Sequence, residues 1–99
     1  MMIVTHYVGP TDFKPGRVVA AANLDRRYRV VVSWDHSLSI KGNHDHAAWA
    51  LLREMDKKMP EYASVRAGAY VRLYNEGGGY TYFKPYAMRE AFEYQPEVA

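Results

Sequence analysis

The sequence predicts an α+β fold, an antiparallel sheet of order β-β-β-α-β-β with one main helix packed on one face. Three observations predict it. Five short stretches carry the β-branched and aromatic content of strands and are separated by Gly, Pro, Asn and Asp clusters. One longer stretch repeats its apolar residues at the helical period. The 99 residues, 48% of them apolar, suffice for one modest core and are too few for two, so 1–99 is read as a single small domain.

Residues 2–8 form the first expected strand, ended by Gly9-Pro10-Thr11-Asp12; Lys14-Pro15-Gly16 is a second breaker. Residues 18–22 and 28–34 read as a hairpin turning at 23–26. Tyr28, Val30, Val32 and Trp34 share its core face, and Arg29, Val31 and Ser33 share the other. Residues 35–42 read as a loop with an extended piece at 38–40. Asn43 is the expected helix N-cap, and Asp45 in the first turn complements the helix dipole. Ala48, Leu51, Leu52, Met55 and Met59 make one helical face, Glu54 and Lys58 pair at i, i+4, and Pro60 stops the helix. Residues 61–67 are a connector with some helical character. Residues 69–74 and 80–83 are the last strands, joined by a glycine-rich hairpin tip at 75–79. Residues 86–94 read as a short helix, and 95–99 as a frayed end.

Composition removes several function classes. The absence of cysteine excludes disulfides, thiolate metal sites and a cysteine nucleophile, and fits a reducing compartment. There is no membrane-spanning apolar run and no signal-peptide pattern, so a cytoplasmic protein is expected. The net charge of +2 is too small to imply a nucleic-acid partner. Its distribution is uneven: Lys14, Arg17, Arg26, Arg27 and Arg29 lie within sixteen residues, opposed there only by Asp25.

Three stretches carry a resemblance: His6-Tyr7-Val8-Gly9-Pro10-Thr11, Gly16-Arg17-Val18-Val19-Ala20, and Trp34-Asp35-His36-Ser37-Leu38 leading to Gly42-Asn43-His44. Together they resemble a family of short bacteriophage and mobile-element proteins. That pattern has a Tyr-x-Gly-Pro-Thr start, a Ser-Arg-Ile-like second strand and an Asp-His…Asn-His run before an alanine-rich helix. The likeness covers roughly residues 1–60. Gly16 stands where the family often has serine, and Trp34 where it often has tyrosine. The resemblance implies a phage or mobile-element origin. Small proteins of that origin often inhibit or adapt host machinery, host defence included.

Gly42-Asn43-His44-Asp45 also resembles a metal-binding block of calcineurin-like phosphoesterases. The upstream Asp-x-His and Gly-Asp blocks of that fold are missing, and the chain is far too short for it. A mononuclear site would need His36, His44 and His46 with Asp35 or Asp45 to converge, and His44 and His46 are not one helical turn apart. No metal and no cofactor is therefore expected. Ser33, Ser37 and Ser64 lack a nucleophile elbow, and the triple glycine is not a phosphate loop. No catalytic residue is assigned, and the chain is read as a non-enzyme.

The remaining signal is aromatic. Tyr70, Arg72 and Tyr74 alternate on one strand, and Tyr80 and Tyr82 on the next. With the helix over Val71 and Leu73, these tyrosines and Arg72 are expected to face solvent. Tyrosine and arginine are favoured anchors at protein interfaces. The leading expectation is thus a binding protein that modulates a host protein, for instance an anti-CRISPR-like defence inhibitor. Its contacts would be Tyr70, Arg72, Tyr74, Tyr80 and Tyr82, with Arg26, Arg27 and Arg29 steering association. The alternatives are a small nucleic-acid-binding module using the same stacking face, a metal-dependent hydrolase at His44 and His46, and a homodimer seam on the tyrosine face.

Overall fold

Strands form where one side-chain row can meet a helix and the other can meet water. The computed structural model describes residues 2–22, 25–76, 78–84 and 91–94, without the side chains of 25–27 and 91–93. Strand β1 is Met2–Val8, β2 Arg17–Ala22, β3 Asp25–Ser33, β4 Gly68–Tyr74, β5 Tyr80–Phe83 and β6 Ala91–Tyr94. Helix α1 spans Ile40–Lys58; a 3₁₀ turn at Pro60–Tyr62 and the short α2, Ala63–Arg66, follow it. Among the described residues the strands make one six-stranded sheet, order β3-β2-β1-β5-β4-β6, antiparallel throughout. The class is α+β with one main helix on one face, as the sequence predicts.

Three expectations change. Residues 91–94 were expected in a helix and are a strand, because β4 offers them a free edge: Gly68 pairs Tyr94 and Val71 pairs Ala91. Residues 86–90, the turn residues Asn23 and Leu24, and the expected frayed end 95–99 lie outside the described residues. The helix also starts earlier. Ser39, not Asn43, is the N-cap, its side chain accepting from the Gly42 backbone N–H at 2.9 Å. Two capping residues stand four apart, and using the first adds a helical turn. Residues 38–40 are therefore not an extended piece, and Asp45 lies beyond the first turn, which holds no acidic residue. The other helix signals hold. Glu54 and Lys58 pair at 3.9 Å, and the helix ends at Lys58, two residues before Pro60.

The third correction concerns the tyrosines. α1 lies on the face of Ile3, Val18, Ala20, Tyr70, Tyr80 and Tyr82, packing Ala47, Ala48, Leu51, Leu52 and Met55 against it. Tyr70 and Tyr82 are fully buried and Tyr80 nearly so, whereas Leu73 is half exposed. The inward choice has a physical reason. A buried tyrosine hides more apolar area than valine or leucine, provided its hydroxyl finds an acceptor. Here three of the inward hydroxyls do so, those of Tyr70, Tyr82 and Tyr94. Tyr82 donates to Asp45 at 2.6 Å, Tyr70 to the Arg66 carbonyl at 2.7 Å, and Tyr94 to Asp56. Asp45 and Asp56 are eleven residues apart, three helical turns, and so share the stripe facing the sheet. Burial raises the pKa of all three phenols, that of Tyr70 to about 12, and the Asp45 and Asp56 bonds push Tyr82 and Tyr94 the same way.

Two ion pairs fasten α1, one to β4 and one to α2. Arg72 reaches Asp45 at 2.6 Å, and Arg66 reaches Asp56 at 2.5 Å while also donating to the Met59 carbonyl. Arg66 is buried, with its side chain 5% exposed.

Candidate functional site

One end of the sheet gathers a cluster of rings, the exposed Tyr7 and Tyr74 among them. β1 ends there, β3 gives way to Trp34, the β4–β5 hairpin turns there, and α1 begins there. The 16-to-34 closure is fixed by the Trp34 N–H donating to the Gly16 carbonyl at 3.0 Å. A β-carbon on Gly16 would stand 2.6 Å from the Tyr7 hydroxyl, so the Tyr7 ring rests directly on the Gly16 backbone. The rings form a chain of edge-to-face contacts. Tyr7 meets Trp34 at 5.1 Å, Trp34 meets His44 at 6.4 Å, His44 meets Tyr80 at 5.0 Å, and Tyr80 meets Tyr74 at 5.4 Å between centroids. These five rings, with Ile40 at the rim and Gly78 and Gly79 opposite, line an open cleft of about 410 Å³. Tyr74 is 70% exposed, Ile40 64% and Tyr7 49%.

The motif Gly42-Asn43-His44-Asp45 turns out to be the anchor of this end. Asn43 is buried. Its carbonyl oxygen accepts from the Asp35 N–H at 2.7 Å, and its amide donates to the carbonyls of Asp35 and Ser39 at 2.9 and 3.0 Å. One side chain thereby holds the loop from β3 to α1. Asp35 shapes that loop further, accepting from the Ser37 hydroxyl and N–H at 2.6 and 2.9 Å, which lower its pKa. His44 Nδ1 lies 2.7 Å from the Thr5 hydroxyl, joining α1 to β1, and Asp45 joins α1 to Arg72 and Tyr82. Three successive residues thus tie the helix to a loop, to the central strand and to β4 with β5.

The Thr5–His44 distance suits a nucleophile and its base. Thr5, however, is 0% exposed, so no substrate atom has access to its oxygen. The pair is a structural tie under the cleft. Burial holds the His44 imidazole below its ordinary value, with His6 adding to the effect and Asp45 opposing it. His44 is therefore neutral in the folded chain, and unfolding frees it to bind a proton. Stability contributed this way is complete above the unfolded value of 6.5 and is lost as pH falls through the lower folded-state value. Urea melts between neutral and mildly acidic pH are expected to show falling midpoints, and His44→Gln is expected to flatten that slope. A variant with the parent's slope would show that other groups set it.

The metal residues do not converge. His46 stacks on Trp49 at 6.2 Å, His44 faces Thr5, and among the described residues no group of three or more His, Asp or Glu stands close enough to hold an ion. The residues expected at the binding surface separate as well. Tyr74 reaches the cleft rim and Arg29 is exposed; Tyr70, Tyr80 and Tyr82 are buried and Arg72 is tied to Asp45, so the flat stacking face proposed for them does not exist. The side chains of Arg26 and Arg27 lie outside the described ones. Sequence reasoning missed Tyr7 and Ile40 as surface rings and rim, and placed Trp34 only in the core.

Two further hollows adjoin the cleft. One, of about 290 Å³, is walled by Tyr7, Trp34, Pro10, Pro15, Gly16 and His36. The next, of about 410 Å³, is walled by Lys14, Pro15, Arg17, Arg29, Val31 and Ser33. Among the described residues none of its three cations has a carboxylate partner. No helix among the described residues is long and apolar enough to cross a membrane. Comparison with protein-family models, with curated proteins and with solved structures finds no match.

Proposed function

We propose that this chain is a phage- or mobile-element-encoded binding protein of the host cytoplasm. It acts, without catalysis of its own, by occupying a surface of a host protein, a defence inhibitor being one version. The observation that carries this reading is the open aromatic cleft, with Tyr7, Trp34 and Tyr74 at its mouth and a rigid hydrogen-bonded base beneath. Exposed apolar clefts of this kind mark interaction sites, and tyrosine and tryptophan set in a fixed frame bind with little loss of side-chain freedom. The phage-family resemblance supports a host protein as the partner. The contact set moves accordingly, from the buried Tyr70, Tyr80 and Tyr82 to Tyr7, Trp34 and Tyr74, with Arg29 retained.

Affinity capture from host lysate followed by reconstitution with the purified partner tests this. The Tyr7→Ala, Tyr74→Ala double variant removes exposed rings and is expected to keep the fold while losing about 2–4 kcal/mol of binding. Equal affinity of parent and double variant for the reconstituted partner would remove the cleft from the interface.

A further inference from the structure

Resting on that protein-binding reading, we propose that the cleft and its two adjoining hollows form one track for an extended, proline-bearing segment of the partner with acidic residues at one end. The three hollows are contiguous. The first and second share Tyr7 and Trp34 as a dividing ridge, and the second and third share Pro15. Successive hollows separated by an aromatic ridge suit a polyproline II segment. Such a segment is already extended, has no internal hydrogen bonds to break, and sets its rings on aromatic walls. The track rounds the end of the sheet, because Tyr7 and Tyr74 lie on the face that α1 covers and Arg29, Val31 and Ser33 on the opposite face.

Charge fixes the polarity and the class of the occupant. Lys14, Arg17 and Arg29 wall the third hollow with no carboxylate among its described lining residues, so it favours anionic groups. Among the described side chains the nearest acidic residues in sequence, Asp12 and Asp35, line none of the hollows, and Asp35 is engaged by Ser37. Among their described lining residues the first two hollows contain no lysine or arginine, and His44 in the first is held neutral by burial. A polynucleotide would set a phosphate at every step along the track, most of them beside uncharged walls. The Tyr7 and Trp34 rings also meet at 74°, and so present no parallel faces on which successive bases stack. An apolar segment with a short acidic end matches the full length.

Random peptides about ten residues long, displayed on yeast and selected on the immobilised full chain, test the proposal. Recovered sequences are expected to hold two or more prolines with Asp or Glu clustered at one flank. A fluorescein-labelled peptide of that consensus is expected to bind at least about tenfold more weakly to the Arg17→Glu, Arg29→Glu double variant and to Tyr74→Ala, with melting curves confirming that both variants fold. Recovery of neutral or basic sequences, or of none, overturns the proposal. So does charge reversal without effect, tighter binding of a labelled oligothymidylate than of the peptide, or sedimentation showing a dimer that Tyr74→Ala dissolves. If the peptides fail while capture of the host protein still depends on Tyr7 and Tyr74, only the segment chemistry is wrong. If that dependence is also absent, the protein-binding assignment of the cleft fails with it.

Discussion

Gly79→Ala is expected to destabilise the chain by more than about 3 kcal/mol, a drop of at least about 12 °C in the melting temperature of a domain this size. Two independent costs meet at this residue. Its φ is +83°, where a β-carbon crowds the following carbonyl and costs about 1–2 kcal/mol. The added carbon would also lie 2.0 Å from the Thr5 carbonyl oxygen, which is backbone of the central strand and cannot swing aside. Relief requires β5 to part from β1 where Thr5 pairs Tyr80, directly under the His44 tie. Gly78 is the control. Its φ is +102°, yet nothing lies within 4 Å of its missing β-carbon, so Gly78→Ala should cost only the backbone term, about 1–2 kcal/mol. Thermal and urea melts of the two variants separate the terms. Equal losses would mean that the close approach to Thr5 contributes nothing. The cleft should report the same event, since Gly79, Tyr80 and His44 all line it.

What was legible in the sequence were features decided within a few residues. Alternation and breakers gave β1 and β5 their limits, and the apolar period gave α1 its face and its stop at Pro60. The α1 start was misplaced because Ser39 and Asn43 both satisfy the local rule, and the buried loop contacts of Asn43 decide between them. The strand at 91–94 exists because β4 has an open edge, a property of the assembled sheet. The facing of β4 failed for a related reason. Tyr70-Arg72-Tyr74 and Val71-Leu73 are both apolar enough to be buried, and alternation alone does not rank them. A signal was present in Asp45 and Asp56, two carboxylates on the apolar helix stripe that require donors from the sheet. Tyrosine hydroxyls and arginines supply these donors, and recognising the requirement would have turned the tyrosines inward. The cleft was the least legible element. Its rings come from the end of β1, the residue after β3, the first turns of α1 and both sides of the β4–β5 hairpin, and only the sheet order brings them together.

Arg66→Met is the second large effect, expected at about 3–5 kcal/mol because it removes one member of a buried ion pair and leaves the other. Arg66 and Asp56 have side chains 5% and 15% exposed. The arginine holds the Asp56 carboxylate at 2.5 Å, and it donates to the Met59 carbonyl at the end of α1. Methionine keeps most of the buried volume but none of the charge, so Asp56 would retain Tyr94 as its sole hydrogen-bond donor described in the fold. The partner change distinguishes loss of charge balance from loss of packing. If the cost is mainly an uncompensated carboxylate, Arg66→Met with Asp56→Leu should be more stable than Arg66→Met alone, since a buried pair replaced by apolar groups is often nearly neutral. If the cost lies in the lost carbonyl bond that fastens the end of α1, the second substitution should recover nothing. Urea denaturation of the parent, both single variants and the double variant completes the cycle. A loss below about 1 kcal/mol for Arg66→Met, the scale of an exposed pair, would show that this junction does not depend on the buried charge.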